Sequence, residues 1–161
     1  MRYLGIDLGD KRTGISLGDD QTLLVSPIEV IEIPITLAGG GPLIEAIVRA
    51  YERQIGPASP GALVIGLPLN MDGTEGRQAK VVRAFGARVK ARLAREVHYQ
   101  DERLTSAEAD WTMSRSDLTR LQKKERRDAL AAAAILRDYL ANRVAPQPPL
   151  SPPDDAPQDA P

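Results

Sequence analysis

The sequence predicts an α/β domain in which helices cover a mixed β-sheet. Short apolar segments open the chain at residues 2–8, 13–18 and 22–33, with only turns between them. Beyond residue 42, segments with helical spacing alternate with short apolar strands. Strands that first follow one another in hairpins and then alternate with helices are typical of a mixed sheet with helices on its faces.

Local patterns justify each element in turn. The turn at 9–12 joins the first two strands in a hairpin, and Pro27 makes the third strand irregular. Pro42 marks the start of a helix that Gly56-Pro57 closes. The later elements are a strand at 62–65, a helix at 75–95, a strand at 97–101, a helix at 105–113 and a final helix at 125–143.

Composition limits the class of protein. The 161 residues fit one domain at 1–145, followed by a tail at 146–161 that holds seven of the 13 prolines and is predicted to be disordered. The absence of Cys excludes disulfides, zinc–thiolate sites and thiol nucleophiles, and it suits the cytoplasm. No apolar run is long enough to span a membrane.

Asp7 lies in the first predicted strand, between two glycines. In an extended strand Gly5 and Asp7 share one face, whereas Leu4 and Ile6 point to the other. The glycines leave room for a ligand to approach, and a carboxylate in a central strand costs free energy unless it is paired or binds a cation. The pattern indicates a functional carboxylate; the alternative is an aspartate that caps the following turn.

Asp128 is a second candidate because it extends an apolar stripe. Asp128 and Ile135 share one face of the last predicted helix, and the small residues Ala131 to Ala134 allow that helix to pack close to the sheet. Two structural explanations stay open. Asp128 would suit the helix dipole if it lay in the first turn, or it would pair with Arg126 or Arg127.

Asp101 and Glu102 follow the strand predicted at 97–101. Ligands of open α/β sheets collect at the carboxyl ends of strands, so both acids are candidates. Acids are common at strand ends, and this pair taken alone favours a structural role. Carboxylates that converge repel one another unless a cation joins them. Oxygen-only ligands suit Mg²⁺ or Mn²⁺, and two such ions support phosphodiester cleavage.

Basic side chains are concentrated in two segments. Residues 77–95 contain seven Lys or Arg and no acid, which is more typical of a surface that follows phosphates than of a solvated helix face. A second cluster, at 115–127, leads directly into Asp128. The alternative is that these charges only maintain solubility. The predicted nucleic-acid contacts are Arg77, Lys80, Arg83, Lys123, Lys124 and Arg127.

Four motifs in order resemble the YqgF/RuvX family, which is related to the RuvC-type Holliday junction resolvases. Together they span about residues 2–143, and Ser16 stands where the family more often has Ala. The motifs are Gly5–Ser16, Val64–Pro68 with Asp72-Gly73, Asp101–Thr105, and Asp128–Ala132 with Ile135-Leu136.

The resemblance implies a ribonuclease-H-like fold, with a mixed five-stranded sheet flanked by helices, and a nuclease that depends on Mg²⁺ or Mn²⁺. Asp7 matches the family's first-strand acid and Asp128 its last-helix acid. We predict Glu102 as the third catalytic and metal-binding acid, with Asp101 as its rival, because one residue of register changes which side chain faces the site.

The implied role is trimming of the 5′ end of precursor 16S ribosomal RNA. Lys11 and Arg12 match the basic turn beside the first acid and are expected to hold a phosphate. Cleavage of DNA junctions, for which a homodimer would be suited, is the second role. Two further classes stay open. One is an actin-like ATPase, which shares the first-strand pattern but needs two such domains, and the other is a non-catalytic RNA-binding protein.

Overall fold

A five-stranded sheet forms the centre of the structure, a computed structural model that describes residues 1–103 and 119–144. The strands are β1 (Arg2–Leu8), β2 (Thr13–Asp19), β3 (Val25–Ile31), β4 (Gly61–Leu67) and β5 (Val97–Asp101). They lie in the order β3-β2-β1-β4-β5. The first three strands are antiparallel neighbours, whereas β4 runs parallel to β1 and β5 parallel to β4. The mixed five-stranded sheet predicted for this chain is confirmed.

Helices cover both faces of the sheet. Within the described residues these are α1 (Gly41–Gln54), α2 (Arg77–Leu93) and α3 (Arg120–Val144), and a short 3₁₀ helix at Leu37–Gly40 leads into α1. The helix predicted at 105–113 and the proline-rich tail at 146–161 lie outside the described residues. No helix in the described part of the chain is long and apolar enough to cross a membrane.

The third strand is shorter than predicted. It begins at Val25 because the preceding residues form a turn, in which the carboxylate of Asp19 accepts hydrogen bonds from the next backbone N–H groups. Pro27 lies inside the strand. A proline is tolerated there because β3 is at the sheet edge, and the β2–β3 register shifts between Ile15 and Ser16.

The last helix begins five residues earlier than predicted, at Arg120. Its start is a capping box. The hydroxyl of Thr119 accepts a 3.3 Å hydrogen bond from the backbone N–H of Gln122, and the side chain of Gln122 accepts a 3.0 Å bond from the backbone N–H of Thr119. Asp128 therefore lies in the third turn of α3. Its interpretation as a partner of the helix dipole is wrong.

The two faces of β1 pack against different helices. Leu4 and Ile6 belong to a buried cluster with side chains of α1 and α2, whereas Tyr3 packs with Ile135 of α3. The alternation predicted from the strand period therefore holds. Asp7 shares the face of Tyr3, so it points toward the α3 side of the sheet.

Helix α3 lies directly on the sheet because small residues face it. A Cβ atom on Gly14 would fall on the main chain of Asp128, and one on Gly5 would approach the carbonyl oxygen of Ala132 to 3.0 Å. Next to Gly5, the buried hydroxyl of Ser16 donates a 2.9 Å hydrogen bond to the same carbonyl. This bond gives the serine a buried partner at the position where the family more often has Ala.

The close approach at Gly14 gives a stability prediction. Gly14→Ala should lower the free energy of unfolding by about 2–3 kcal/mol, because the added methyl group can be accommodated only if α3 moves off the sheet. Chemical denaturation would measure the loss. Gly41→Ala is the matched control, since a Cβ there meets nothing within 4 Å. Equal stability of the two variants would contradict the close packing.

Candidate active site

Asp7 lies near the end of β1 and is half-buried. The turn that follows is closed by a hydrogen bond from the N–H of Gly9 to the carbonyl of Arg12. Within residues 1–103 and 119–144 the Asp7 carboxylate accepts no hydrogen bond from that turn, so the turn-cap interpretation is not supported. Burial, and then the negative charge of Asp128, raise the pKa of Asp7 to about 6.

Glu102 reaches the same place from the end of β5. A Cβ on Gly66 would lie 2.6 Å from the Glu102 carboxylate oxygen Oε2, so this glycine makes room for the side chain. Gly66 follows Ile65, which pairs with Ile6 in the neighbouring strand, and Glu102 therefore extends toward Asp7. Burial, then the charges of Asp7 and Asp101, raise the pKa of Glu102 to about 7.

Asp101 is engaged elsewhere. Its carboxylate accepts hydrogen bonds from the backbone N–H of Arg103, at 3.0 Å, and from the Arg103 guanidinium Nε, at 2.9 Å. The Arg103 side chain is the main reason that the pKa of Asp101 is lowered. Of the two rival acids, Glu102 lines the cleft with Asp7, whereas Asp101 holds Arg103.

Asp128 arrives from α3, at the point where that helix touches Gly14. The pairing with Arg126 or Arg127 that the sequence allowed does not form among the described side chains. Because Asp7 pairs with Gly14 across β1 and β2, the contact of Asp128 with Gly14 places Asp128 beside Asp7. The pKa of Asp7 responds to the charge of Asp128 for this reason.

An open cleft of about 380 Å³ connects Asp7 and Glu102 to the surface. Asp7 and Glu102 form part of its wall. The loop after β4 contributes Leu69 and Met71, and α3 contributes Ile135. A ligand in the cleft would therefore face both acidic residues.

Arg103 also lines this cleft, a position that sequence reasoning missed. Its guanidinium joins Asp101 to the loop after β4 by donating a 3.1 Å hydrogen bond to the carbonyl of Met71. The Met71 side chain is 89% exposed. The Asp-Glu-Arg motif could have drawn attention to Arg103. Only the fold shows that Arg103 binds the loop at Met71, 32 residues earlier in the chain.

The donor set suits a hard divalent cation, although the acids do not form one tight cluster. Within the described residues, no three metal-ligating side chains lie close enough together to hold a single ion. The interactions are pairwise: Asp7 with Asp128, and Glu102 with Asp7. Carboxylate oxygens that repel one another at a solvent-open cleft are the chemistry that Mg²⁺ and Mn²⁺ favour.

A second cavity, of about 440 Å³, has Asp128 in its wall. Lys11 and Arg12 of the β1–β2 turn line it, together with Arg127 of α3. Arg12 is 3.6 Å from Glu32, a long and exposed ion pair that leaves the guanidinium accessible. Three cations and two acids, Asp10 and the candidate catalytic Asp128, therefore line this opening.

The basic residues of α2 are less available than the sequence suggests. Glutamates outside the helix form ion pairs with several of its basic side chains. Arg77 and Lys80, in the first turn, form no ion pair with a described residue. Of the seven basic side chains at 77–95, six on α2 and Arg95 just beyond it, five have partners: Arg83 with Glu75, Lys90 with Glu96, Arg92 with Glu45, Arg88 with the carbonyl of Gly39, and Arg95 with the hydroxyl of Tyr51.

The remaining predicted nucleic-acid contacts are Arg83, Lys123 and Lys124. Arg83 also stacks over Tyr99, at 4.7 Å from the ring centroid, so its guanidinium is held on two sides. Its contact with nucleic acid stays a prediction. Lys123 is half-buried in the second turn of α3. The side chain of Lys124 lies outside the described part of the chain.

Two solved structures have the same fold. RuvC of T. thermophilus in complex with a Holliday junction substrate superposes with a TM-score of 0.57 and 13% identity, covering 90% of this chain and 98% of RuvC. The Fowlpox virus resolvase, also solved with Holliday junction DNA, has a TM-score of 0.57 and 10% identity, covering 90% and 100% of the two chains. The fold is that of the RuvC-like, ribonuclease-H-like resolvases.

Sequence relatives narrow this class. A protein of Lactococcus lactis subsp. cremoris (strain MG1363), named "Putative pre-16S rRNA nuclease", is 36% identical over 141 residues, 86% of this chain and 93% of that protein. A protein of Anaeromyxobacter sp. (strain Fw109-5) with the same name is 37% identical over 145 residues, 90% and 100% of the two chains. The family described as "RuvX: Holliday junction resolvase" matches residues 1–142. The chain belongs to the RuvX family.

The raised pKa of Asp7 gives a second stability prediction. Asp7→Asn, measured in EDTA, should raise the free energy of unfolding above pH 6 by about 1–3 kcal/mol. Below about pH 4 both proteins should be equally stable, because the carboxyl is then protonated in the folded and unfolded chains. Between pH 4 and pH 6 the unfolded chain ionises first, so the native protein loses stability and the variant does not.

Asp72→Asn is the control of opposite sign. Hydrogen bonds from the side chain and backbone of Thr74 lower the pKa of Asp72, so this variant should lose stability above pH 4. Urea denaturation across pH 3.5–8 would compare the proteins. If the free energies of unfolding of Asp7→Asn and the native protein differed by the same amount at every pH, the raised pKa of Asp7 would be contradicted.

Proposed function

We propose that this protein is a metal-dependent nuclease that hydrolyses phosphodiester bonds of precursor 16S ribosomal RNA, at its 5′ end. The observation that carries the proposal is that acids from three separate parts of the chain approach one another in two interacting pairs, which share Asp7. Asp7 comes from β1, Glu102 follows β5, and Asp128 comes from α3. Membership of the RuvX family and the names of the relatives support it.

Asp7, Glu102 and Asp128 would hold the metal. Asp7 is the carboxylate common to both repelling pairs, so it is the residue best placed to serve two ions. Bound Mg²⁺ or Mn²⁺ would supply an activated water and neutralise charge that develops on the phosphate. The raised pKa values of Asp7 and Glu102 mean that a cation must compete with protons near neutral pH, so metal binding and activity should increase from pH 6 to pH 8.

The cations beside Asp128 would orient the substrate. Lys11, Arg12 and Arg127 line an opening that adjoins the acids, where a phosphate next to the cleaved bond would be bound. Arg77 and Lys80, in the first turn of α2, are further candidate phosphate contacts. Phosphate contacts of this kind position a strand without reading its sequence. Neither a covalent intermediate nor a histidine base is needed.

The substrate assignment rests on the relatives. They are named nucleases of pre-16S rRNA, whose maturation belongs to ribosome assembly, and the cytoplasm is the matching location. The family description names Holliday junction resolvases instead, and that chemistry would be the same. Four-way DNA junctions are therefore a required comparison in the assay.

The test is cleavage of 5′-labelled precursor 16S rRNA, single-stranded RNA and a four-way DNA junction, each with Mn²⁺, Mg²⁺ or EDTA. The native protein should cut the precursor in the presence of either metal and not in EDTA. Asp7→Asn and Asp128→Asn should each lower the cleavage rate by at least 10²-fold, because each removes a metal ligand. Glu52→Gln, an exposed change on α1 away from the cleft, should retain the native rate.

A binding readout separates loss of metal from loss of fold. Mn²⁺ should raise the melting temperature of the native protein and of Glu52→Gln, and should leave that of Asp7→Asn unchanged. Preferred cleavage of the junction would replace the RNA assignment with the resolvase. Binding of RNA without cleavage of any substrate, undiminished by Asp7→Asn, would indicate a non-catalytic RNA-binding protein.

A further inference from the structure

Three aromatic rings form a cluster on the α3 side of the sheet, away from the acids. Tyr3 of β1, His98 of β5 and Tyr139 of α3 meet there, with ring centroids 5.8 Å apart for Tyr3 and Tyr139 and 5.4 Å apart for His98 and Tyr139. Tyr3 is fully buried, whereas His98 and Tyr139 are only half-buried. Part of the surface of His98 and of Tyr139 is therefore accessible to a ligand.

Arg143 adds an exposed positive charge to this cluster. Its guanidinium lies 5.6 Å from the ring centroid of Tyr3 and 5.7 Å from that of Tyr139, and it donates a 3.0 Å hydrogen bond to the Tyr139 hydroxyl. The arrangement fixes the Tyr139 ring on the last turns of α3. A rigid aromatic face beside an arginine is the combination that proteins use to stack nucleobases.

The cluster and the candidate catalytic acids share one face of the molecule. Tyr3 is four residues before Asp7 on β1, and His98 is four residues before Glu102, so each pair points to the same side. At the strand rise this separation is about 13 Å. That is roughly the length of four stacked nucleotides, so one strand can reach both places.

A polar cavity of about 280 Å³ lies along the path between them. Gln100 of β5 and Asn142 of α3 line it, together with Asp101, Asp138 and Ala141. Arg103 neutralises Asp101. The side-chain amides of Gln100 and Asn142 here would form hydrogen bonds with base edges or sugar hydroxyls.

We propose that this channel between β5 and α3 binds a single strand of the substrate next to the cleaved bond, with an unstacked base against His98 and Tyr139. The inference rests on the proposed nuclease function and adds a substrate subsite to it. It selects single-stranded nucleic acid as the ligand of this surface, because a base inside a duplex cannot present its face to a side chain.

The experiment measures binding in EDTA, where the proposed cleavage does not occur. Fluorescence anisotropy would give the affinity of the native protein for labelled single strands of two and eight nucleotides, in ribo and deoxyribo forms. Tyr139→Leu should weaken binding of the eight-nucleotide strands about tenfold and leave the two-nucleotide strands unchanged. Tyr139→Phe keeps the ring and should stay within about twofold of the native affinity.

A second variant guards against loss of fold. His98→Ala removes the other accessible ring and should also weaken eight-nucleotide binding, with circular dichroism to verify the fold of each variant. Ribo and deoxyribo strands should lose affinity equally, because they share the base ring; a loss confined to the ribo strands would overturn the stacking assignment. Native affinity in folded Tyr139→Leu and His98→Ala would overturn it as well.

The inference and the proposed function fail in different ways. If the native protein cuts RNA with Mn²⁺ but both ring variants bind eight-nucleotide strands normally, only the subsite is wrong. If the ring variants lose binding but no substrate is cut by the native protein, the subsite holds and the nuclease assignment fails.

Discussion

The site depends on the direct contact between the main chain of α3 and the sheet. Gly14 has no side chain to keep the helix away, and the Ser16 hydroxyl donates a hydrogen bond to the carbonyl of Ala132, which fixes the helix along β2. Asp128 is carried to Asp7 by this contact. Gly66 does the equivalent for Glu102, whose carboxylate occupies the space that a Cβ would fill. The positions of the acids are thus consequences of the glycines opposite them.

Because of the same geometry, ionisation of Asp7 and Glu102 lowers the free energy of unfolding at neutral pH. Burial and mutual repulsion raise the pKa of Asp7 to about 6 and that of Glu102 to about 7. Asp101 differs from both, because its ion pair with Arg103 lowers its pKa. Perturbed acids that share a cleft are characteristic of functional sites, where binding of a cation offsets the cost. We therefore propose different roles for the two acids. Asp101 holds the loop after β4 through Arg103, and Glu102 takes part in catalysis.

The sequence was sufficient for the sheet, because the alternation of Tyr3, Gly5 and Asp7 against Leu4 and Ile6 assigns each face without a structure. It was misleading for the basic segment at 77–95. Its seven cations suggest a surface that binds phosphates, but Glu45, Glu75 and Glu96 approach from outside α2, which local sequence cannot show. The start of α3 was readable, since Thr119-x-x-Gln122 is a capping box. Arg103 and the aromatic cluster required the tertiary fold.

The central claim is that α3 delivers Asp128 close enough to perturb Asp7, and a carboxyl ¹³C NMR titration tests it directly. In the metal-free native protein Asp7 should titrate with a pKa of about 6. In Asp128→Asn that pKa should fall toward the usual value but stay above it, because burial remains. Titration of Asp7 at an ordinary aspartate pKa in both proteins would contradict the account.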